Sequence, residues 1–259
     1  MNRPRLTVFL MMQDGYLKKS KKFSDYVYIG DPLNTVRIFS DFEVDEITIV
    51  DVNATKKEKD PDYDLLKNIA SFTRMPMCYG GGINNLLQIE KIIELGIEKV
   101  SICSALFDNK KLIKDASNIF GSQSIVGCID IRYSTQLDKY EIYIKNGSTK
   151  IDINIEDAIN LITDCGVGEI LINNIDLDGT YKGFDSEIIS RIVEISPVPV
   201  TALGGASSKE DIKRIWTKTN VSGVAAGSLW SFIGKNDTVL LNYPNPQEKQ
   251  SLFSGGKKR

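Results

Sequence analysis

The sequence repeats itself at half its length. DEITIVDVNAT (45–55) lines up with GEILINNIDLDGT (168–180), YGGGINN (79–85) with LGGASSK (203–209), and SICSALF (101–107) with VAAGSLW (224–230). The offset is 123 residues from Glu46 to Glu169 and from Gly81 to Gly204, and 124 from Ser104 to Ser228. One such match is an easy accident; three in register are not. The 259 residues must fold as two copies of one unit.

Each copy alternates apolar runs with amphipathic stretches. The runs are LTVFLMM (6–12), EITIVDV (46–52), MPMCYGG (75–81), KVSICSA (99–105), SIVGCID (124–130), EILINNID (169–176), VPVTALGG (198–205) and GVAAGSL (223–229). They are continuous rather than alternating, which marks parallel strands covered on both faces. Between them, 31–42, 84–96, 155–166 and 208–219 carry helical periodicity. Asn84, Ser207 and Ser208 are placed to cap helix starts, and Gly96 and Gly166 to end helices. Eight strand–helix units predict a (β/α)8 TIM barrel made of two (β/α)4 halves. The expected halves are about 1–122 and 123–245 of one domain, with 246–259 a flexible tail. An insertion, KYEIYIKNGSTKIDI (139–153), reads as a hairpin turning at Asn146-Gly147.

Composition closes several routes. Lys+Arg total 32 against Asp+Glu 34, so there is no basic excess for nucleic acid. No apolar run reaches the ~18 residues of a membrane span. The N-terminus has no small-residue cleavage site, so no signal peptide is expected. Cys78, Cys103, Cys128 and Cys165 form no CxxC pair and read as buried reduced thiols of a cytoplasmic protein. There is no histidine. That removes Ser-His-Asp chemistry and the common zinc sites, and no metal or cofactor is expected.

The repeat doubles a site as well as a fold. A Gly-Gly after a strand lets backbone N–H groups approach an anion, and the next helix adds its positive end. Gly81-Gly82 with Ser104, and Gly204-Gly205 with Gly227-Ser228, present this arrangement on opposite sides of the mouth. The ligand expected is elongated, with a phosphate at each end. Asp51 and Asp176, related by the repeat, either contact it or accept loop N–H groups.

FLMMQDG, IVDVNAT, YGGGI, GSQSIVGCIDIR, EILINNIDLDGT, GFDSEII and LGGASS resemble the cyclase subunit of imidazole glycerol phosphate synthase, of histidine biosynthesis, from Arg5 to about Trp230. The resemblance implies a glutaminase subunit docked at the barrel bottom. Ammonia would pass up the barrel to a bisphosphorylated substrate at the top. It implies a phosphate-binding role for Gly81, Gly82, Ser104, Gly204, Gly205, Gly227 and Ser228, and for Asp178 and Gly179 in the loop after the sixth strand. It makes Asp130 one of two acid–base aspartates and Lys19, on the mobile loop after the first strand, a further catalytic residue. It sets Arg5, Glu46, Lys99 and Glu169 as a charged ring guarding ammonia entry.

The second aspartate of that family falls here on Met11, and a thioether moves no protons. Cys103 stands where the family usually has a polar amide. The pattern resembles a divergent branch linked to acetamidino modification of surface-polysaccharide sugars, working with a glutaminase and a sugar amidotransferase. The ending LLNYPNP (240–246) also resembles that branch. An ammonia-conducting synthase subunit is the leading expectation. The alternatives are a histidine-pathway cyclase, and a non-catalytic activator of a glutaminase. The run LKKSKK (17–22) is either a phosphate-closing lid or a mobile solvated loop, and the tail GGKKR (255–259) reads as disordered.

Overall fold

A computed structural model describes residues 3–234 and 237–254. Strands β1 (Arg5–Gln13), β4 (Glu46–Asp51), β5 (Met77–Gly80), β6 (Lys99–Ile102), β7 (Ile125–Ser134), β10 (Glu169–Asn174), β11 (Val200–Leu203) and β12 (Gly223–Ala226) pair in parallel. β12 returns to β1, so the sheet closes into the expected eight-stranded barrel. The repeat survives as register. Thr7 pairs with Glu46 and Met11 with Val50; Val126 pairs with Glu169 and Asp130 with Asn173.

The helices α1 (Pro32–Asp41), α2 (Tyr63–Ala70), α3 (Leu86–Glu94), α4 (Ser104–Asp108), α5 (Lys110–Phe120), α6 (Ile155–Asp164), α7 (Ser186–Ile195), α8 (Lys209–Thr219), α9 (Ser228–Ser231) and α10 (Pro246–Phe253) follow in chain order. The cap of α3 is Asn85 rather than Asn84, because Gln88 reaches back to close a capping box on it. Ser208, not Ser207, caps α8. Gly96 and Gly166 take φ of +89° and +98° just past their helices, as helix-ending glycines do. Ser104 and Ser228 open α4 and α9 instead of ending strands.

Two antiparallel ribbons rise from the top of the barrel. β1 turns at Asp14-Gly15, both with positive φ, into β2 (Tyr16–Lys21) and β3 (Ser24–Gly30). β7 turns into β8 (Lys139–Ile144) and β9 (Thr149–Ile151), with Asn146-Gly147 in the second turn as anticipated. The stretch 17–22 is thus no solvated loop. Residues 17–21 lie on a strand that buries Leu17, Lys19 and Ser20, because the ribbon folds over the mouth, and Lys22 begins the exposed turn.

The flexible tail expected for 246–259 needs correction over 246–253. Asn245 caps α10 through a second capping box, Phe253 packs edge-on against Trp216 at 5.3 Å, and Lys249 is buried. The Lys249 ammonium lies 2.9 Å from Asp45 and 5.1 Å from the Tyr243 ring. GGKKR (255–259) lies outside the described residues. Among the described residues no helix is long and apolar enough to cross a membrane.

Candidate functional site

Strand alternation decides what lines the barrel axis. On β1, Leu6, Val8, Leu10 and Met12 pack outward into the main core, while Phe9 and Met11 face a separate inner cluster with Cys78, Val126, Leu171, Leu203 and Ala225. That apolar cluster lines the middle of the barrel.

At the bottom the four charged residues close a ring. Arg5 contacts Glu46 at 3.3 Å and is hydrogen-bonded to Glu169. Lys99 Nζ lies 2.6 Å from Glu46 and 2.9 Å from Glu169. Thr201 adds a hydroxyl to Glu169 at 2.7 Å. Burial raises the Glu169 carboxyl's proton affinity, but Arg5 and Lys99 outweigh it and hold the pKa below its ordinary value. Burial lowers Lys99, and Glu169 and Glu46 more than reverse this. Each charge therefore has opposite charges beside it, with Arg5 Nε alone left buried without a hydrogen-bond partner among the ring's nitrogens. Just above, Thr7, Thr48, Cys78 and Thr201 surround a cavity with about 10 Å³ of room, roughly enough for one molecule the size of water.

At the mouth, Asp130 is buried. Asn173 Nδ2 donates to it at 3.0 Å, and the thiols of Cys103 and Cys128 stand 3.8 and 3.9 Å away. Burial first, with repulsion from Asp178, pushes its carboxyl up to about 6 against the donors. A carboxyl tuned toward neutrality is suited to acid–base work. Met11 faces the same pocket, its sulfur 3.6 Å from Lys19 Nζ and 3.5 Å from Ser20 Oγ. Burial lowers the Lys19 pKa, partly offset by Asp178, whose Oδ1 is 4.0 Å away.

Both glycine loops are where the repeat puts them, and both need glycine. Gly81 and Gly82 have φ of +106° and +72°; Gly204 and Gly205 have +93° and +101°. The two loops are not equivalent, however. Gly81, Gly82 and Ser104 line a pocket of about 320 Å³ that also holds Met11 and Asp130. Gly179, Gly204, Gly205, Gly227 and Ser228 line one of about 20 Å³. Lys19 accounts for part of the difference, since its ammonium fills the space where a side chain on Gly227 would go. Asp178 lines both pockets. Asp51 accepts from the N–H groups of Asn53 and Ala54, and Asp176 from that of Tyr133, so the loop-supporting role holds for both. Asp51 lines the larger pocket as well. Asp14, past the strand end, pairs with Lys57 outside the mouth.

Sequence reasoning missed Asn173, Ser20 and Cys128. Asn173 was reachable: it is the register partner of Asp130 on an all-buried strand, where an amide needs a polar partner. The cysteines also differ from expectation. Cys78 is buried, while Cys103, Cys128 and Cys165 are only partly so, two of them at the mouth.

The chain matches the histidine biosynthesis protein family over residues 9–233. It is 43% identical to a Leptospira borgpetersenii protein, covering 98% of this chain and 100% of that one. It is 42% identical to one from Vibrio vulnificus, covering 98% and 97%. Both names assign those relatives provisionally to the HisF subunit of imidazole glycerol phosphate synthase. The Streptococcus mutans protein named imidazole glycerol phosphate synthase subunit HisF is 30% identical, over 90% of this chain and 92% of its own length. The chain belongs to the histidine biosynthesis protein family, among its HisF-like members.

Proposed function

We propose that this chain is the synthase subunit of a glutamine-dependent complex, receiving ammonia at its charged ring and consuming it on a phosphorylated substrate at the mouth. The cyclase step of imidazole glycerol phosphate synthase is the reaction best supported, because family membership and the named relatives converge on it. The observation that carries the reading is one axis with two chemically distinct ends. A charge-paired ring with a one-molecule cavity lies at the bottom, and two glycine loops flank a buried carboxyl of raised pKa at the top. A glutaminase subunit fits the ring end.

A second reading keeps the same ammonia route but assigns the product to acetamidino-sugar formation with a sugar amidotransferase. Met11 is the observation that favours it, since the mouth lacks a carboxylate at that position.

The test is turnover of the bisphosphorylated ribulosyl substrate, followed by its absorbance loss. It is run with ammonium alone and then with glutamine plus a glutaminase subunit. Turnover near one per second, within the ordinary enzyme range, establishes the cyclase. No turnover with either nitrogen source overturns it and leaves the sugar reading and the glutaminase activator, which assay of the complex on a sugar substrate then separates.

A further inference from the structure

The ribbon that closes the mouth brings two hydrogen-bond donors to Met11, and a thioether accepts them only weakly. The same two donors meet a carboxylate on their other side. Ser20 Oγ–H donates to Asp178 Oδ2 at 2.7 Å, and Lys19 Nζ lies 4.0 Å from Oδ1. Asp178 is 6% exposed, follows β10 at the C-terminal end of the barrel, and borders both mouth pockets. Its backbone is tied to the ribbon as well, through Lys22 N–H to its carbonyl at 2.9 Å. Asp130 senses its charge across the pocket.

We infer that Asp178 is the second proton-transfer group of the mouth, working opposite Asp130 in place of the carboxylate that Met11 removes. Lys19 and Ser20 hold it in place once the ribbon closes. This rests on the mouth being a site of chemistry, as proposed above. In a turnover one proton passes from substrate to the Asp178 carboxylate and one from the Asp130 carboxyl to substrate. Exchange of one proton with solvent at each group then resets the pair. A carboxylate held by Ser20 and Lys19 and a buried carboxyl held by Asn173 can divide base and acid roles in this way. The contrary possibility is that Asp178 only pins the ribbon.

The experiment compares the full chain with Asp178→Asn, Met11→Asp and the double variant, using the bisphosphorylated ribulosyl substrate and ammonium. Asp178→Asn is expected to lower kcat about 100-fold or more, with KM moving less than about threefold. Met11→Asp in that background is expected to restore at least about tenfold, and the pH–rate profile of Asp178→Asn is expected to lose the limb set by its base, which a pinning role does not produce. Loss of less than about fivefold in Asp178→Asn, or no recovery in the double variant, overturns the inference. If the unaltered chain shows no turnover, the cyclase reading falls, and carboxyl carbon NMR decides about the pair. Asp178→Asn must then lower the Asp130 midpoint from about 6; an unmoved midpoint overturns the pair.

Discussion

Asn146 donates its side-chain amide to the Tyr26 hydroxyl at 3.0 Å, latching the ribbon of one half-barrel to the ribbon of the other. Phe23 packs against Gly147 beside this bond. The latch lies over the mouth, away from the barrel core. Tyr26→Phe keeps the ring and deletes one net hydrogen bond, worth about 1 kcal/mol. Global stability should fall by no more than that. Amide exchange in β2, β3, β8 and β9 should quicken about fivefold, while β4 to β6 stay unchanged. Equal acceleration throughout the barrel would show that the ribbons do not open as a unit.

Asp130 carries a stability cost that the proposed acid–base role explains. Its folded pKa of about 6 stands above the ordinary carboxylate value near 3.9. A carboxyl shifted this way destabilises the fold as it ionises. The penalty grows as pH rises from about 4 to about 6 and is then constant, at about 2–3 kcal/mol by linkage. Asp130→Asn should therefore be more stable than the native chain at pH 7, by about 1–3 kcal/mol, and should lose most turnover. Urea denaturation at pH 4 and pH 7 checks it, with the two proteins converging at the lower pH. A variant less stable at pH 7 would contradict the assigned shift.

The barrel was legible because its strands are buried on both faces, which leaves continuous apolar runs that no alternating sheet shows. The half-length offset was legible because strand register preserves it: Thr7–Glu46 becomes Val126–Glu169. The first ribbon was hidden by its lysines. YLKKSK places Leu17 and Lys19 on the covered face, and a buried lysine runs against every burial preference. Its turn signal, Asp14-Gly15, was nonetheless present. Helix α10 was hidden by polar composition, although Asn245, Pro246 and Glu248 spell a helix start. The inequality of the two glycine loops was not legible at all. It depends on where the Lys19 ammonium comes to rest, which only tertiary packing decides.

Gly81 and Gly96 separate a demanding glycine from an ordinary one. Both have positive φ, so alanine at either is strained by about 1 kcal/mol. Around Gly96 a methyl group meets nothing within 4 Å, whereas at Gly81 it would strike the Asp51 backbone. Gly96→Ala should cost about 1 kcal/mol and leave phosphate binding intact. Gly81→Ala should cost about 2 kcal/mol or more and weaken inorganic phosphate binding at least tenfold. Calorimetry on both variants tests this, and equal phosphate affinities would remove the glycine loop from the anion site.

The charged ring fixes its own pH window. Glu169's folded pKa lies below its ordinary value near 4.3, so its contribution is complete above that value and is lost as pH falls through the folded one. Lys99 runs the other way. Its folded pKa is raised, so its contribution is complete below about 10.4 and is lost as pH rises through the folded value. Lys99→Met leaves Glu46 and Glu169 to share Arg5 and should cost about 2 kcal/mol or more at pH 7. The cost should shrink below about pH 4, where protonated carboxyls no longer need a cation. Denaturation of native and variant proteins from pH 3 to pH 9 measures it. A cost that stays constant from pH 3 to pH 7 would show that packing of the lysine stem, and not the closed ring of charges, holds the barrel bottom together.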